Sequence, residues 1–205
     1  MAKNTDDELG EGTAKISPYD DRYQVILGSM LGNGFICKGR RVDYFCMRHS
    51  TRYAPWLRVK ANELAEFGAK TPYYQYKTTL TWRSTCSQMF TDLRGFCYKE
   101  DQKIVTMKWL DLLRDLAIAV WFGDSGTMTG RGQKNACLRT QSFGYDGNKI
   151  IERYFNEVGI PCGMNKCRDS HVIVFTLEGT QNLFSLIANA MPSSQLVHVL
   201  PMYKK

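Results

Sequence analysis

The chain has 205 residues, of which 43% are hydrophobic. This content is ample for a packed core that needs no disulfides or structural metal ions. Lysine and arginine outnumber aspartate and glutamate by 27 to 20, which gives a net charge of +7 and favours polyanionic partners. The seven cysteines are scattered without a Cys-x-x-Cys pair, which argues against a zinc site and indicates reduced thiols in a reducing intracellular compartment.

The first 16 residues are polar and acidic, and we interpret residues 1–16 as a disordered arm. No secretory signal and no apolar run of membrane-spanning length is visible, so no membrane partner is expected. Ser17 as an N-cap, Pro18 at the first helical position and Asp20 in the first turn predict the start of a helix.

The first half, residues 17–100, reads as helix, two strands, helix, two strands, helix. The helices show apolar periodicity near 3.6 residues, and the strands alternate between apolar and polar residues around turn signals. After a first helix that ends at Asn33, the predicted elements are strands 35–38 and 42–47, helix 51–67, strands 73–77 and 79–84, and helix 87–96.

The second half, residues 108–205, repeats this order after a connection at residues 101–107. A single repeat of this length indicates a duplicated domain rather than a solenoid. No strand-helix-strand crossover with a glycine-rich phosphate loop is present, which argues against a nucleotide-binding fold. The predicted elements are helix 108–124, strands 127–128 and 136–142, helix 148–158, strands 164–168 and 172–177, and helix 179–190.

The first helix of each half ends in the same pattern of small residues, a polar residue and a glycine. Gly28 and Gly32 in the first helix, and Ala119 and Gly123 in the second, lie four residues apart and allow close approach of another helix. The two helices therefore are expected to pack against each other, with their polar ends meeting in a place that suits a shared metal site.

Residues 26–34 and 118–126 resemble the paired motifs of the LAGLIDADG homing endonucleases, specifically the single-chain branch that includes intron-encoded mitochondrial enzymes. Residues 80–82, 116–126 and 138–143, and the ending at 195–201, are similar to companion segments of that family. The resemblance implies an α+β fold, duplicated with pseudo-twofold symmetry and a β-saddle for DNA, in a monomer without an obligate protein partner. It also implies site-specific double-stranded DNA binding and metal-dependent cleavage, in an organelle (mitochondrion or plastid) or in microbial or phage cytoplasm.

Basic and amide side chains concentrate in the strand segments. With period-2 alternation, one face of each strand is expected to face the helices and the other to present these groups outward. In a major groove, arginine and lysine can read guanine, glutamine can read adenine, and the remaining cations hold phosphates. The predicted DNA-binding residues are Lys38, Arg40, Arg41, Arg48, Gln75, Lys77, Arg83, Arg131, Gln133, Lys134, Arg139, Lys166 and Arg168.

The chain departs from the family at the acids that hold divalent cations. Asn33 stands where the first motif has aspartate, and it keeps a carbonyl ligand without the charge. Aligned on Gly126, the second acid falls on Ser125; slid by one residue, Asp124 becomes the counterpart of Asn33. The first alignment is preferred, because the Trp-Phe-x-Asp-x-Gly string is more specific than two small residues. Gln141 matches a glutamine that lies near the catalytic water in relatives. The expected metal residues are Gly32, Asn33, Asp124 and Ser125, holding Mg²⁺ weakly, and the expected catalytic residues are Asn33, Asp124, Ser125 and Gln141.

Two functions follow from this departure. One is a site-specific DNA endonuclease whose cleavage is impaired by Asn33 and Ser125. The other is a non-catalytic DNA-binding protein or an intron RNA splicing cofactor (maturase). Val199 favours the second function, because some relatives carry a lysine just before the final Leu-Pro.

Overall fold

The computed structural model describes Ser17, residues 19–130, Gly132 and residues 134–200. The predicted arm at residues 1–16, together with Pro18, Arg131 and Gln133, lies outside the described residues. In the first half the elements are α1 (Asp21–Leu31), β1 (Gly34–Cys37), β2 (Tyr44–Ser50), α2 (Ala54–Glu63), β3 (Gly68–Tyr76), β4 (Thr79–Cys86), α3 (Gln88–Cys97) and β5 (Tyr98–Lys99).

The second half repeats this order. Its elements are β6 (Gln102–Lys103), α4 (Met107–Leu110), α5 (Asp115–Ser125), β7 (Gly126–Thr129), β8 (Asn135–Leu138), α6 (Gly144–Glu157), β9 (Cys162–Cys167), β10 (Ser170–Phe175), α7 (Leu177–Ala190) and α8 (Ser193–Val199). The predicted connection at 101–107 thus contains β6, which pairs with β5 in a short hairpin.

Two four-stranded antiparallel sheets have the same connectivity. Their strand orders are β1-β2-β4-β3 and β7-β8-β10-β9, so each strand of the first sheet has a counterpart in the second. The helices cover one face of each sheet, and the core runs continuously from Leu27 and Trp82 in the first half to Trp121 and Phe155 in the second. The predicted α+β architecture with a repeated order is confirmed.

Helices α1 and α5 form the junction between the halves, at backbone contact distance. A Cβ placed on Gly28 would lie 2.3 Å from the carbonyl oxygen of Ala117 and 2.9 Å from Cβ of Val120. A Cβ on Gly32 would lie 2.4 Å from Cβ of Asp124. Gly28 and Gly32 therefore are required for this approach, whereas a Cβ on Gly123 would meet Trp56 and Val199, so Gly123 packs against α2 and α8 and not against α1.

We expect Gly28→Ala to destabilise the fold by about 1–3 kcal/mol, because the added methyl group meets backbone that cannot move independently of α5. Gly95 in α3 is the matched control, since a Cβ there meets nothing within 4 Å. Gly95→Ala is expected to stabilise by about 0.5–1 kcal/mol through helix propensity. Urea unfolding of both variants measures the difference; equal effects would contradict the close helix contact.

Several predicted boundaries are wrong, for local reasons. Helix α1 begins at Asp21 rather than near Pro18, because the Asp20 carboxylate accepts the backbone N–H of Arg22 and acts as the N-cap. Buried Gln24 binds the carbonyl of Leu112 and the N–H of Arg114, and this replaces the single predicted helix 108–124 with α4 and α5.

The predicted strand 136–142 is also too long. It stops at Leu138 because Asn148 bonds to Thr140 and turns the chain into a 3-10 segment, Gln141–Phe143. Helix α8, which covers the junction, was not predicted. No helix in the described part of the chain is long and apolar enough to cross a membrane.

Candidate active site at the junction of the two halves

Equivalent hydrogen bonds define the correspondence between the two motifs. The N–H of Arg48 donates to the carbonyl of Asn33 at 3.1 Å, and the N–H of Arg139 donates to the carbonyl of Ser125 at 3.0 Å. Strands β1 and β7 begin directly after these residues. Asn33 therefore corresponds to Ser125, and the alternative register that pairs Asn33 with Asp124 is wrong. Neither helix carries an acid at these two equivalent positions.

The Asp124 carboxylate is fully buried at the end of α5, and the groups that bind it within the described residues all come from the first half. Lys60 Nζ lies 2.6 Å from Oδ1 and 2.8 Å from Oδ2. The indole N–H of Trp56 donates to Oδ1 at 2.7 Å, and the backbone N–H of Asn33 donates to Oδ2 at 3.1 Å. His49 Nε2 lies 3.5 Å from Oδ1 and 3.1 Å from Lys60 Nζ.

The two hydrogen bonds from Lys60 and the single bonds from Trp56 and Asn33 make four in total. They use the full accepting capacity of the carboxylate, which has about four lone-pair positions. Magnesium requires six oxygen ligands in octahedral geometry. No group of three or more His, Cys, Asp or Glu side chains that could hold a metal occurs within the described residues. As they stand, Gly32, Asn33, Asp124 and Ser125 offer no free carboxylate oxygen to a magnesium ion, because both oxygens of Asp124 already accept hydrogen bonds.

Lysines stand at the C-terminal ends of both motif helices. Lys60 binds Asp124 at the end of α5, and Lys103 donates to the carbonyls of Met30 and Gly34 at 2.7 Å each, where α1 ends. A cation is favourable at this end of a helix because the carbonyl dipoles point toward it. Burial lowers the pKa of Lys60 while Asp124 raises it, and burial lowers the pKa of Lys103 to about 8.

Buried His49 is kept neutral by its surroundings. Burial lowers its pKa from 6.5 to about 4, the charge of Lys60 acts in the same direction, and Asp124 opposes both. In the unfolded chain His49 takes up a proton near its ordinary pKa of 6.5, whereas in the folded chain it does so only near pH 4. The contribution of neutral His49 to the free energy of unfolding is therefore fully present above pH 6.5 and is lost as the pH falls toward 4.

We expect protonation of this histidine to lower the free energy of unfolding by about 2–3 kcal/mol between pH 7 and pH 4.5. Urea unfolding at both pH values measures it. His49→Gln removes the titrating group while other acid effects remain, so the variant should lose less stability than the unaltered chain over this interval. An identical loss in both proteins would show that His49 does not cause it.

A pocket of about 310 Å³ opens above this buried network. It is lined by residues of both halves, including Asn33, Arg48, Asp124 and Arg139. Arg48 in β2 and Arg139 directly after β8 make equivalent backbone hydrogen bonds, are exposed and place positive charge on the wall of the pocket. Since Lys60 balances Asp124, the pocket attracts anions rather than cations.

The other predicted catalytic positions lie apart from the carboxylate network. Ser125 is buried at the end of α5, and Gln141 is exposed at the start of the 3-10 segment rather than on a strand. Val199 is buried in α8, and its Cγ2 lies 3.1 Å from the position of a Cβ on Gly123. Val199 therefore packs against the junction as a core residue.

The strand register divides the predicted DNA-binding residues in the first half. Arg48 and Arg83 lie on the sheet face that points away from the helices, here called the open face, because buried Trp82 occupies the opposite face. Gln75 pairs with Leu80 and shares the face of Trp82, so its assignment to the open face is wrong. Lys38 forms an ion pair with Asp101 at 2.7 Å. Arg40 and Arg41 are exposed between β1 and β2. Lys77 lies in the turn between β3 and β4.

In the second half, Arg139 lines the pocket, Lys134 is exposed before β8, and Arg168 is in the β9–β10 turn. Lys166 pairs with His171, whose ring contacts Tyr145 of α6 at 5.3 Å. Because this pair faces the helices, the assignment of Lys166 to the open face is wrong. Arg131 and Gln133 lie outside the described residues.

Sequence reasoning missed Lys60 and Trp56 as site residues. A signal was present, because Trp56, Leu57, Lys60, Ala61 and Leu64 form one helical face in which only Lys60 is charged. A lysine on an apolar face indicates a buried partner.

Residues 23–183 match the LAGLIDADG DNA endonuclease family. The fold is similar to that of the homing endonuclease I-WcaI bound to its DNA recognition sequence, with a TM-score of 0.76, 17% identity, and coverage of 94% of this chain and 96% of that one. It is also similar to I-DmoI in complex with DNA and Mn, with a TM-score of 0.54, 12% identity, and coverage of 84% and 99%.

Among curated proteins, a RecA protein of Mycolicibacterium flavescens is 22% identical over 204 residues, which cover 90% of this chain and 48% of that protein. The chain thus spans about half the length of the curated relatives it matches. The structural likenesses confirm the predicted duplicated fold with two motif helices at its centre. Because the family match extends over most of the chain, this protein belongs to the LAGLIDADG DNA endonuclease family.

Proposed function

We propose that this protein binds double-stranded DNA site-specifically through the open faces of its two sheets and that its metal-dependent cleavage is strongly impaired. The observation that carries the proposal is the state of Asp124. It is the one carboxylate at either motif end, and its oxygens are occupied by Lys60, Trp56 and Asn33. A divalent ion that activates water and neutralises a scissile phosphate needs accessible anionic ligands.

The open faces and the pocket support DNA binding. Arg48 and Arg83 project from one sheet, and Arg139 extends the cationic surface into the second half. Similar structures include I-WcaI and I-DmoI, both in complexes with DNA. Because both motif helices lie in one chain, we infer that a monomer occupies each site. All seven cysteines are free thiols, which supports a reducing intracellular compartment.

The experiment is incubation with a randomised duplex library, with separate selection for bound DNA and for Mg²⁺-dependent cleavage. We expect enrichment of a binding sequence and negligible cleavage of it, with or without EDTA. Asn33→Asp combined with Ser125→Asp is the comparison variant, since it places carboxylates at the two equivalent positions. It should gain Mg²⁺-dependent cutting. Efficient cutting by the unaltered chain would refute the impairment, and absence of enrichment would refute DNA binding.

A second candidate, binding of an intron RNA, is favoured by two tyrosines on the β3–β4 hairpin. Tyr74 and Tyr76 pair with Thr81 and Thr79 on the open face and are 48% and 69% exposed. Exposed aromatic rings on a sheet can stack on unpaired bases. Competition between the selected duplex and intron RNA, repeated with Tyr76→Ala, distinguishes the candidates, because loss of a stacking ring should weaken RNA binding more than duplex binding; equal losses would argue against the RNA candidate.

A further inference from the structure

We infer that Asp124 forms a cation site whose ligand is the primary ammonium group of Lys60, and that this site selects a primary ammonium over a divalent metal ion. The inference concerns the occupant of the site and is independent of DNA binding.

The acceptors around Nζ match the geometry of an ammonium group. Two carboxylate oxygens of Asp124 lie at 2.6 and 2.8 Å, and Nε2 of His49 lies at 3.1 Å. An ammonium has three N–H donors and no acceptor, so each donor has one partner when Nε2 of His49 carries the lone pair of the ring and Nδ1 carries the proton. In this tautomer the side-chain amide of Asn33, 3.5 Å from Nδ1, does not donate to the ring and donates to the Asp124 carbonyl at 3.2 Å. The ring of Trp56 lies 5.5 Å from Nζ and adds a cation–π contact.

A metal ion meets two obstacles at the same carboxylate. Trp56 and Asn33 direct N–H groups at the oxygens, and these donors take positions that a coordinating metal would need. The remaining neighbour, His49, would supply a single nitrogen, whereas Mg²⁺ requires six oxygens. The site therefore suits a cation that donates hydrogen bonds.

A second cavity borders the side chain of Lys60, which is itself 1% exposed. It has a volume of about 200 Å³ and is lined by apolar residues of α1, α2 and α5, including Val25 and Val120, with Asp21 and Glu63 also on its wall. Trp56 and Lys60 line it as well. Truncation of Lys60 joins this cavity to Asp124, and the two acidic residues favour entry of a cation.

The test is chemical rescue of Lys60→Ala. This change removes three methylene groups and the ammonium, so n-propylammonium replaces the missing atoms. We expect a lower Tm than that of the unaltered chain and a rise of Tm with n-propylammonium concentration. Tetramethylammonium, which has no N–H donor, and MgCl2 at matched ionic strength should leave the Tm of the variant unchanged.

Lys149→Ala is the matched control, because Lys149 forms an exposed pair with Glu152. Its Tm should not respond to n-propylammonium. Equal rescue of Lys60→Ala by tetramethylammonium, or better rescue by Mg²⁺, would overturn the selectivity, and no rescue by any cation would overturn the site.

A measurement on the unaltered chain keeps the inference testable if Lys60→Ala does not fold. Mn²⁺ bound at Asp124 would broaden the indole N–H resonance of Trp56, which is 2.7 Å from the carboxylate. We expect no selective broadening during a Mn²⁺ titration. Broadening of this resonance ahead of the other tryptophan signals would show that a divalent ion enters, and the inference would fail.

Discussion

Lys60→Met is expected to destabilise the protein by about 3–5 kcal/mol, because it leaves the Asp124 carboxylate buried without its counter-charge. Both side chains are almost completely buried, at 1% and 0% exposure. Asp124→Asn should lower the free energy of unfolding by a similar amount, since it leaves the ammonium group of Lys60 buried without a counter-charge. The double variant should be much less destabilised than the sum of the two, because neither buried charge remains.

Urea unfolding at pH 7 measures this double-mutant cycle. The exposed pair between Arg153 and Glu157 is the control, and Arg153→Met should change the free energy of unfolding by less than about 1 kcal/mol. Additive effects in the Lys60 and Asp124 cycle would mean that the two groups do not interact as the structure shows.

The second large effect concerns salt and rests on the proposed DNA binding. If the open faces and the central pocket neutralise about six to ten phosphates, affinity should fall about 10³–10⁵-fold between 50 and 200 mM salt. Fluorescence anisotropy with the selected duplex measures the slope of the logarithm of the binding constant against the logarithm of the salt concentration.

Arg139→Gln should reduce this slope by about one and weaken binding, because Arg139 lines the central pocket. Arg153→Gln on the exposed surface of α6 is the matched control and should leave the slope unchanged. A slope near zero in the unaltered chain, or equal slopes for both variants, would contradict the placement of the DNA surface.

Regular patterns made the fold predictable from the sequence. The spacing of Gly28 and Gly32 indicated a close helix pair, and a Cβ at either position would indeed clash with α5. The predicted helix boundaries were wrong where a side chain binds backbone groups that are far away in the sequence. Gln24 interrupts the predicted long helix through Leu112 and Arg114, and no local propensity contains that information.

The candidate site was only partly predictable. The predicted ends of the motif helices, Asn33 and Asp124, lie within two residues of the observed ends, Leu31 and Ser125. The preferred alignment on Gly126 agrees with the equivalent hydrogen bonds at Asn33 and Ser125. The state of Asp124 depends on Lys60 and Trp56, which are more than 60 residues away in the chain. Similarly, strand alternation alone could not place Gln75 and Lys166, because it does not say which alternate set faces the helices.

The hydrogen bonds of Asp124 make the two halves of this protein non-interchangeable. The second half supplies the carboxylate, and the first half supplies all of its donors, Trp56, Lys60 and Asn33. A symmetric pair of first halves would bury donors without an acceptor, and a symmetric pair of second halves would bury two carboxylates without a cation. Recombination with a relative therefore has to transfer Asp124 and its donors together, although they lie in different halves of the gene.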